Sequence, residues 1–573
     1  MKKCLLRPAC LLSILLFTML LVFSRLGYAA VGDRLSRITE ASDTNRNSTQ
    51  AVVSPDGTKI AFVSDSDFLN QGIPDDQSEI WMFDQITQAL TRITNASDTN
   101  RDSFGPRFNA DGTKLVFASD SDFFNEGIAD EQDEIWVYDL PSMALSRITI
   151  ASNSDRSSFA PAISGDGNLI AFTSDSDFLS QSIPNDRNEV WLYNVNTASY
   201  TRVTVTTQAD RTSGDTQMSA DGTKIVFVSD ADFLNQGIAQ NQPEIWMYNV
   251  SGSSLTRVTN GSGSDRWSLQ PTISADGTKI AFASDSDFLS EGIPNDQFEI
   301  WSYDVSSSML SRITSASGSP PAPIIDSWNP TYNDDGDYLI FESSSDLSGQ
   351  NQNLSPEIWL YQTSSMTFSR LTNASDLTRD SHTPSISDDG LKVVFHSDSD
   401  FFNEGIPDGQ AEIWLIDRAV SVTVDQNSGG TISYMDPNGN ETSITIPTNA
   451  VTETTTLSFN PLNFIDPPAG LTNTNHAFAL EAYRDGILQN NFQFESPITI
   501  QISYDDADID GLDEDQIVFL YFNGSQWSNS GITVIDHDKS TNLLTVTSDH
   551  LSDFAMFSAP SLSEKVFLPI VLR

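Results

Sequence analysis

Seven tryptophans stand in the same local context, Glu-(Ile/Val)-Trp: Trp81, Trp136, Trp191, Trp246, Trp301, Trp359 and Trp414. Their spacings are 55, 55, 55, 55, 58 and 55 residues. A repeat of this length means one supersecondary unit copied along the chain, each copy burying its apolar face against the next. An Asp-Gly turn precedes each tryptophan, at Gly57, Gly112, Gly167, Gly222, Gly277, Gly336 and Gly390. Each unit except the last also carries a Thr-Arg-Ile-Thr-like strand, as at residues 90–94.

Four short strands are predicted in each unit, in the first at roughly residues 50–54, 59–64, 79–84 and 89–94. The second, Lys59-Ile60-Ala61-Phe62-Val63, is a compact apolar run suited to burial on both faces. Asp56-Gly57 supplies the tight first hairpin. Four antiparallel strands per 40–60-residue repeat is the pattern of a β-propeller. The last unit ends at residues 412–417 without its own fourth strand, and a spare copy stands at Leu35-Ser36-Arg37-Ile38-Thr39. If that copy closes the last unit, the ring has seven blades and no open edge at its closure. An open solenoid is the alternative.

The units resemble the TolB-like, WD-repeat-related propeller family, through Ser54-Pro55-Asp56-Gly57-Thr58-Lys59-Ile60-Ala61-Phe62 followed by Glu79-Ile80-Trp81, over residues 32–418. The resemblance implies a propeller in a bacterial envelope. The fold class expected is all-β: a seven-bladed β-propeller at 31–419, then a β-sandwich-like domain at 420–560. An apolar tail, 561–573, would end the chain.

Residues 1–30 read as a secretory signal peptide. Lys2, Lys3 and Arg7 precede an apolar run at 9–23, and Gly27-Tyr28-Ala29-Ala30 offers a cleavage site. An uncleaved anchor is the alternative. Both cysteines, Cys4 and Cys10, lie inside this segment, so a processed chain has no disulfide and no thiolate site. The location expected is extracytoplasmic: secreted, periplasmic or at the cell surface. The tail is too short to span a bilayer, so no transmembrane span is expected in the mature chain.

Charge narrows the partners. Against 78 acidic residues stand 30 Lys and Arg, a net charge of −48. Such a surface argues against nucleic acid, whose phosphates need cations. Cations, basic proteins, peptides and glycans remain.

Within each blade the second-to-third-strand loop and the link to the next blade must emerge at the same end. Both are long, so binding is expected there. Arg46, Arg101, Arg156, Arg211, Arg266 and Arg379 recur in one position, with Ile325 in the sixth unit. Asp65/Asp67 recur as Asp120/Asp122, Asp175/Asp177, Asp230/Asp232, Asp285/Asp287 and Asp398/Asp400; the sixth unit has Asp346 in a shortened loop. One reading is structural, each Arg forking onto carboxylates of a neighbouring loop. The other is calcium, a hard cation that takes six to eight oxygens of the kind an Asp-x-Asp loop offers. The repeated Glu79-type residues are expected to fix geometry rather than perform chemistry.

Nothing marks an enzyme. There is no Gly-x-Ser-x-Gly elbow and no His-Glu-x-x-His helix, and of five histidines only His382 and His396 fall in the repeats. Carboxylates are so numerous that a hydrolase or lyase acting in the central cleft stays open as the alternative.

From Val420 the repeat stops, and alternating runs such as Ile498-Thr499-Ile500-Gln501-Ile502 predict the sandwich. This region resembles the zonula-occludens/uncoordinated-type β domain across 420–557, which implies an interaction module. His550-Leu551-Ser552 resembles the cleavage site of autoproteolytic β domains. That resemblance implies Ser552 as nucleophile, His550 as base and Leu551–Ser552 as scissile bond. An inert final strand is the alternative.

Overall fold

The computed structural model describes residues 33–561, except 42–44, 75–76, 97–100, 152, 207–210, 262, 264, 316–324, 350, 352–353, 375–377, 437–438, 463–466, 485 and 491. The expected signal peptide and nearly all of the apolar tail lie outside the described residues, as do Asp75, Asp76, Asp98 and Asn100 of the loops.

The described residues form an all-β protein, with one 3-10 turn at Glu514–Gln516. The first repeat gives β2 (Ser48–Val53), β3 (Lys59–Ser64), β4 (Glu79–Asp84) and β5 (Ala89–Arg92), paired antiparallel in that order. The four-strand pattern recurs, and seven four-stranded sheets are present among the described residues. One of them is composite. β1 (Arg34–Arg37) pairs with Glu412–Asp417, Arg37 lying opposite Trp414. The Ile38 N–H continues the ladder to the Ile413 carbonyl at 2.8 Å.

Each sheet's first strand packs on that of the next, and Ser381–Ile386 packs back on β2. Repeated four-stranded sheets in a ring make a β-propeller-like fold. The core lies between sheets. All seven repeat tryptophans are fully buried, and so are Phe62, Phe117, Phe172 and Phe227. In the first loop Phe68 meets Trp81 edge-on at 5.1 Å, and Phe123, Phe178, Phe233, Phe288 and Phe401 repeat the contact at 4.9–5.0 Å. Aromatic pairs of this geometry add about 0.5–1.5 kcal/mol beyond area burial, so these six tryptophans anchor their long loops as well as their sheets.

The hairpin after β2 turns at Gly57 with φ +69°, and a Cβ there would come within 2.9 Å of Lys392 of the last sheet. Glycine is therefore required both for conformation and for the seam. The first strand of every sheet is interrupted: between Thr49 and Val52 the pairing shifts, and Gln50 adopts φ 52°. Gly105, Ala160, Asp215, Gln270, Asn329 and Thr383 repeat this positive φ. The extra residue bends each inner strand.

The C-terminal residues build two antiparallel sheets. One orders Val420–Val424, Thr455–Pro461, Thr472–Arg484, Asp553–Ser558, Val518–Phe522 and Trp527–Ser528; the other orders Gly430–Met435, Glu441–Ile446, Gln493–Ser503, Leu543–His550 and Ile532–Asp538. A shared apolar core, including Phe459, Phe478 and Phe554 from the first and Ile444, Ile500 and Val546 from the second, joins them. β1 is tied to this region by Arg34–Glu481 at 3.2 Å, and the Ala419 N–H donates to Asp33 at 2.8 Å. Among the described residues no helix is long and apolar enough to cross a membrane.

Candidate functional site

Each long connection starts from a buried carboxylate. Glu79, at the head of β4, accepts from Arg92 Nη2 at 2.6 Å, from the Thr94 hydroxyl and from the Ala96 N–H at 3.1 Å. Glu134, Glu189, Glu244, Glu299 and Glu357 repeat the pairing with Arg147, Arg202, Arg257, Arg312 and Arg370 at 2.6–2.8 Å. In the composite sheet Glu412 takes Thr39 Oγ1 at 2.5 Å and the Ala41 N–H at 3.0 Å. These acids fix where the fourth strand becomes the link to the next sheet.

The recurrent arginines join the two long connections of six of the seven sheets, the sixth sheet having Ile325 there. Arg46 donates to the carbonyls of Ile73 at 3.1 Å, Pro74 at 3.4 Å and Asp65. Arg101 holds Ile128 and Ala129 at 3.1 and 2.8 Å, and Arg211 holds Ile238 and Ala239 at 3.0 and 2.9 Å. Arg266 holds Ile293 and Pro294 at 2.9 and 3.1 Å. Arg156 takes the Ile183 carbonyl at 2.7 Å with Asn185 at 2.9 Å, and Arg379 takes Ile406 at 2.9 Å. The expectation of a fork onto neighbouring carboxylates is thus corrected, Arg101–Asp130 at 3.6 Å being a long exception. The reason is local: a turning loop leaves carbonyls without a sheet partner, and the guanidinium supplies several donors in one plane.

The aspartates serve backbone N–H groups. Asp65 accepts from Asn47 N at 2.7 Å. Asp120 takes the amides of Asp102 and Glu131, Asp175 those of Ser157 and Asp186, and Asp230 those of Thr212 and Asn241, at 2.7–3.1 Å. Asp285 takes Trp267 and Asp296, and Asp398 takes Asp380 and Gly409, at 2.7–3.1 Å. Asp67 caps the amides of Gln71 and Gly72 at 2.6 and 2.7 Å. Asp122, Asp177, Asp232, Asp287 and Asp400 repeat this at 2.6–2.9 Å. Slight burial works against the charge of Asp67, Asp122, Asp177, Asp232 and Asp287, yet these amides hold each below the ordinary carboxylate range. Among the described residues no three His, Cys, Asp or Glu side chains are gathered to hold a metal ion.

The repeat breaks at the seam between the sixth sheet (Ser327–Tyr332, Tyr338–Ser343, Glu357–Gln362, Thr367–Arg370) and the seventh (Ser381–Ile386, Lys392–Ser397, Glu412–Asp417 with β1). Glu342 replaces the small or apolar residue of the first five units, such as Val63 and Ala118, and His396 stands at the same position in the seventh. Its Oε2 lies 3.0 Å from His382 Nδ1 and accepts the Thr383 N–H at 3.2 Å; Oε1 accepts Asn329 Nδ2 at 2.9 Å. His396 Nδ1 is 2.7 Å from the Thr383 hydroxyl, and the two imidazoles lie 5.6 Å apart. Burial pulls the His382 pKa down, but the Glu342 hydrogen bond and charge, with Asp380 and Asp398, raise it on balance. Burial and the His382 charge push His396 down to about 3. The sequence showed both histidines; their joining to Glu342, forty residues away, is a tertiary fact.

In the C-terminal region Ser552 Oγ donates to the Phe522 carbonyl at 2.6 Å. His550 Nδ1 lies 3.0 Å from Asp549 Oδ1 and 3.2 Å from Ser548 Oγ, its ring edge-on to Tyr521. Among the described residues no hydrogen bond joins His550 to Ser552.

No family model matches the chain. The Tol-Pal system protein TolB of Francisella tularensis subsp. mediasiatica (strain FSC147) is 27% identical over 205 residues, 36% of this chain and 40% of that protein. TolB of F. tularensis subsp. holarctica (strain OSU18) matches with the same identity and shares. The chain therefore spans about 40% of the length of the curated relatives it matches. Among solved structures, oligogalacturonate lyase from Vibrio parahaemolyticus overlaps with TM-score 0.45 at 14% identity, covering 68% of this chain and 95% of that one. TolB from Acinetobacter baumannii overlaps with TM-score 0.35 at 16% identity, covering 60% and 66%. The chain is thus similar to TolB at low sequence identity over about a third of its length, and its fold is β-propeller-like.

Proposed function

We propose that the protein is an extracytoplasmic, non-enzymatic binding or scaffold protein. Its seven sheets are read as the blades of one closed propeller, and its loop end as the face that receives a protein, peptide or glycan. The two C-terminal sheets are read as a β-sandwich that adds a second contact. The observation that carries this is the arginine and aspartate network. It ties the long connections of one end to their own sheets, so a partner meets a preformed surface and little ordering entropy is lost on binding. Similarity to a Tol-Pal system protein supports a protein partner and an envelope setting. The aspartate loops are read as backbone caps that need no calcium.

Within the loop end, Trp267 is 47% exposed beside Arg266, and a rigid exposed aromatic is a favourable anchor. The test is retention of envelope proteins and glycans on immobilised mature protein, compared with Trp267→Ala and His382→Ala. Ligands retained by the parent and lost from a folded loop-end variant support the reading; retention unchanged in both variants rejects it. A hydrolase or lyase in the central cleft is the second reading, favoured by the Glu342–His382–His396 group. Chain shortening of a polysaccharide, abolished by His382→Ala, would establish it.

A further inference from the structure

The second C-terminal sheet ends in an uncovered apolar strand. Ile532–Asp538 is its last strand, paired on one side with Leu543–His550; among the described residues no strand pairs with its other side. Residues 533–536 are all exposed, Val534 to 57% and Ile535 to 60%, although Val534 stands opposite Val546 of the core. The pairing shifts between Val534 and Asp536, leaving Ile535 as the extra residue of a bulge. The sheet's opposite edge, Gly430–Met435, is covered: it packs on Val420–Val424, and a Cβ at Gly430 would come within 2.9 Å of Val422 and Val424. An open apolar edge is a template for any extended chain.

A suitable chain starts beside it. Residues 562–573 read Leu-Ser-Glu-Lys-Val-Phe-Leu-Pro-Ile-Val-Leu-Arg, and the described chain delivers them to one end of this edge. The Ser561 N–H donates to the Gly511 carbonyl at 2.9 Å, and Leu512 pairs with Pro560. Close by in sequence, Glu514 accepts from the Tyr504 hydroxyl at 2.9 Å, and that hydroxyl lies 2.7 Å from His537 Nε2. Asp515 pairs with Lys539, next to the strand's last residue. Ser561 therefore lies toward the Asp538 end of the edge. The four residues 562–565 bridge up to about 14 Å when extended.

We infer that residues 566–572 of the same chain occupy this edge as a further antiparallel strand along Ile532–Asp538. Three features select this occupant. A chain leaving Ser561 enters at the Asp538 end and runs toward Ile532, which is the antiparallel sense and needs no crossover. The lengths agree, since Val566 to Leu572 is seven residues and so is Ile532–Asp538. With the two aligned end to end, Pro569 falls opposite Ile535. Proline lacks the N–H of a ladder and is tolerated in edge strands and at bulges, and this position is both. Ile570 then stands opposite Val534, apolar against apolar. Once in place, the segment is a strap that shields the sheet from other chains, and Pro569 on the new outer edge hinders any further strand. This contact stands apart from the loop-end reading and does not depend on it.

The chain beyond residue 30 has no cysteine, so engineered pairs report the contact directly. Val534→Cys combined with Ile570→Cys should form a disulfide within one chain on mild oxidation, because residues directly opposite in an antiparallel pair come close to the Cβ separation a disulfide needs. Thr431→Cys combined with Ile570→Cys, on the sheet's opposite edge, should stay reduced. Non-reducing electrophoresis and intact mass separate a link within one chain from a link between two. In the parent without cysteines, backbone amides of residues 533–536 should exchange with deuterium about ten-fold more slowly than in a version stopped after Ser561, whose thermal melt shows that it is folded. The inference is overturned if the Val534/Ile570 pair stays reduced, if the control pair oxidises equally well, if the disulfide joins two chains, or if removing residues 562–573 leaves exchange unchanged.

Discussion

Glu342 Oε2 lies 3.0 Å from His382 Nδ1 across the seam between the sixth and seventh sheets. His382 titrates above the ordinary histidine value, so its pairing stabilises the fold fully below about pH 6.5 and is lost as pH rises through the folded value. Thermal melts across this range should show Glu342→Gln less stable than the parent, with a gap that is widest on the acid side and narrows on the alkaline side. A gap independent of pH rejects a charged His382. His396 acts in the opposite sense: kept neutral down to about 3, it favours unfolding as pH falls below 6.5.

Glu134→Ala should be strongly destabilising. Glu134 is fully buried and Arg147 is 10% exposed at its side chain, so removing the acid leaves a desolvated guanidinium with only the half-exposed Glu126 as its carboxylate partner. Breaking such a pair costs about 3–5 kcal/mol. Urea unfolding is the measurement, and a loss below about 1 kcal/mol contradicts the reading.

Asp388→Asn should stabilise the protein, more at high pH than at low. Asp388 and Asp334 meet at the turn end, where the Asp388 N–H donates to the Pro55 carbonyl at 2.9 Å and so joins the last sheet to the first. Burial, then the Asp334 charge, raises the Asp388 carboxyl well above 3.8. Stability is therefore lost as pH rises from 3.8 through the folded value. Asparagine escapes that loss, and a variant that melts below the parent at alkaline pH overturns the assignment.

Chelator and millimolar calcium should give melting temperatures within about 1 °C of each other, because a ligand stabilises only what it binds in the folded state. Both carboxylates of each Asp-x-Asp pair already accept from backbone amides, as Asp122 does from Glu126 and Gly127. A large rise with calcium would make these loops metal ligands after all.

Intact mass after prolonged incubation should show an uncleaved Leu551–Ser552 bond, since the Ser552 hydroxyl is engaged with Phe522. Ser552→Ala should cost about 1 kcal/mol in stability, the worth of one hydrogen bond. Two fragments meeting at this bond would instead establish self-processing.

Much of the repeat was legible because its signals are local. Asp56-Gly57 sets a hairpin through the conformation of one residue, and the strands found at Lys59–Ser64 and Glu79–Asp84 coincide with the apolar runs read there. The arginines were legible as a recurrent set, but not their acceptors. Arg46 reaches carbonyls 27 and 28 residues away, and nothing in residue identity separates a carbonyl from a carboxylate as the target. The positive φ at Gln50, Ala160 and Thr383 was hidden too, since none of these residues announces a left-handed backbone.

By itself the sequence determined the period, the turns, the recurrence of the tryptophans and the acidic charge, all properties of the chain and its local neighbours. The tertiary structure decided which of the many charged groups meet. It put Glu342 on His382 and β1 on Glu412–Asp417. The physical reason is that hydrogen bonds and ion pairs act over a few ångströms, and only the closed ring brings residues tens to hundreds of positions apart within that reach.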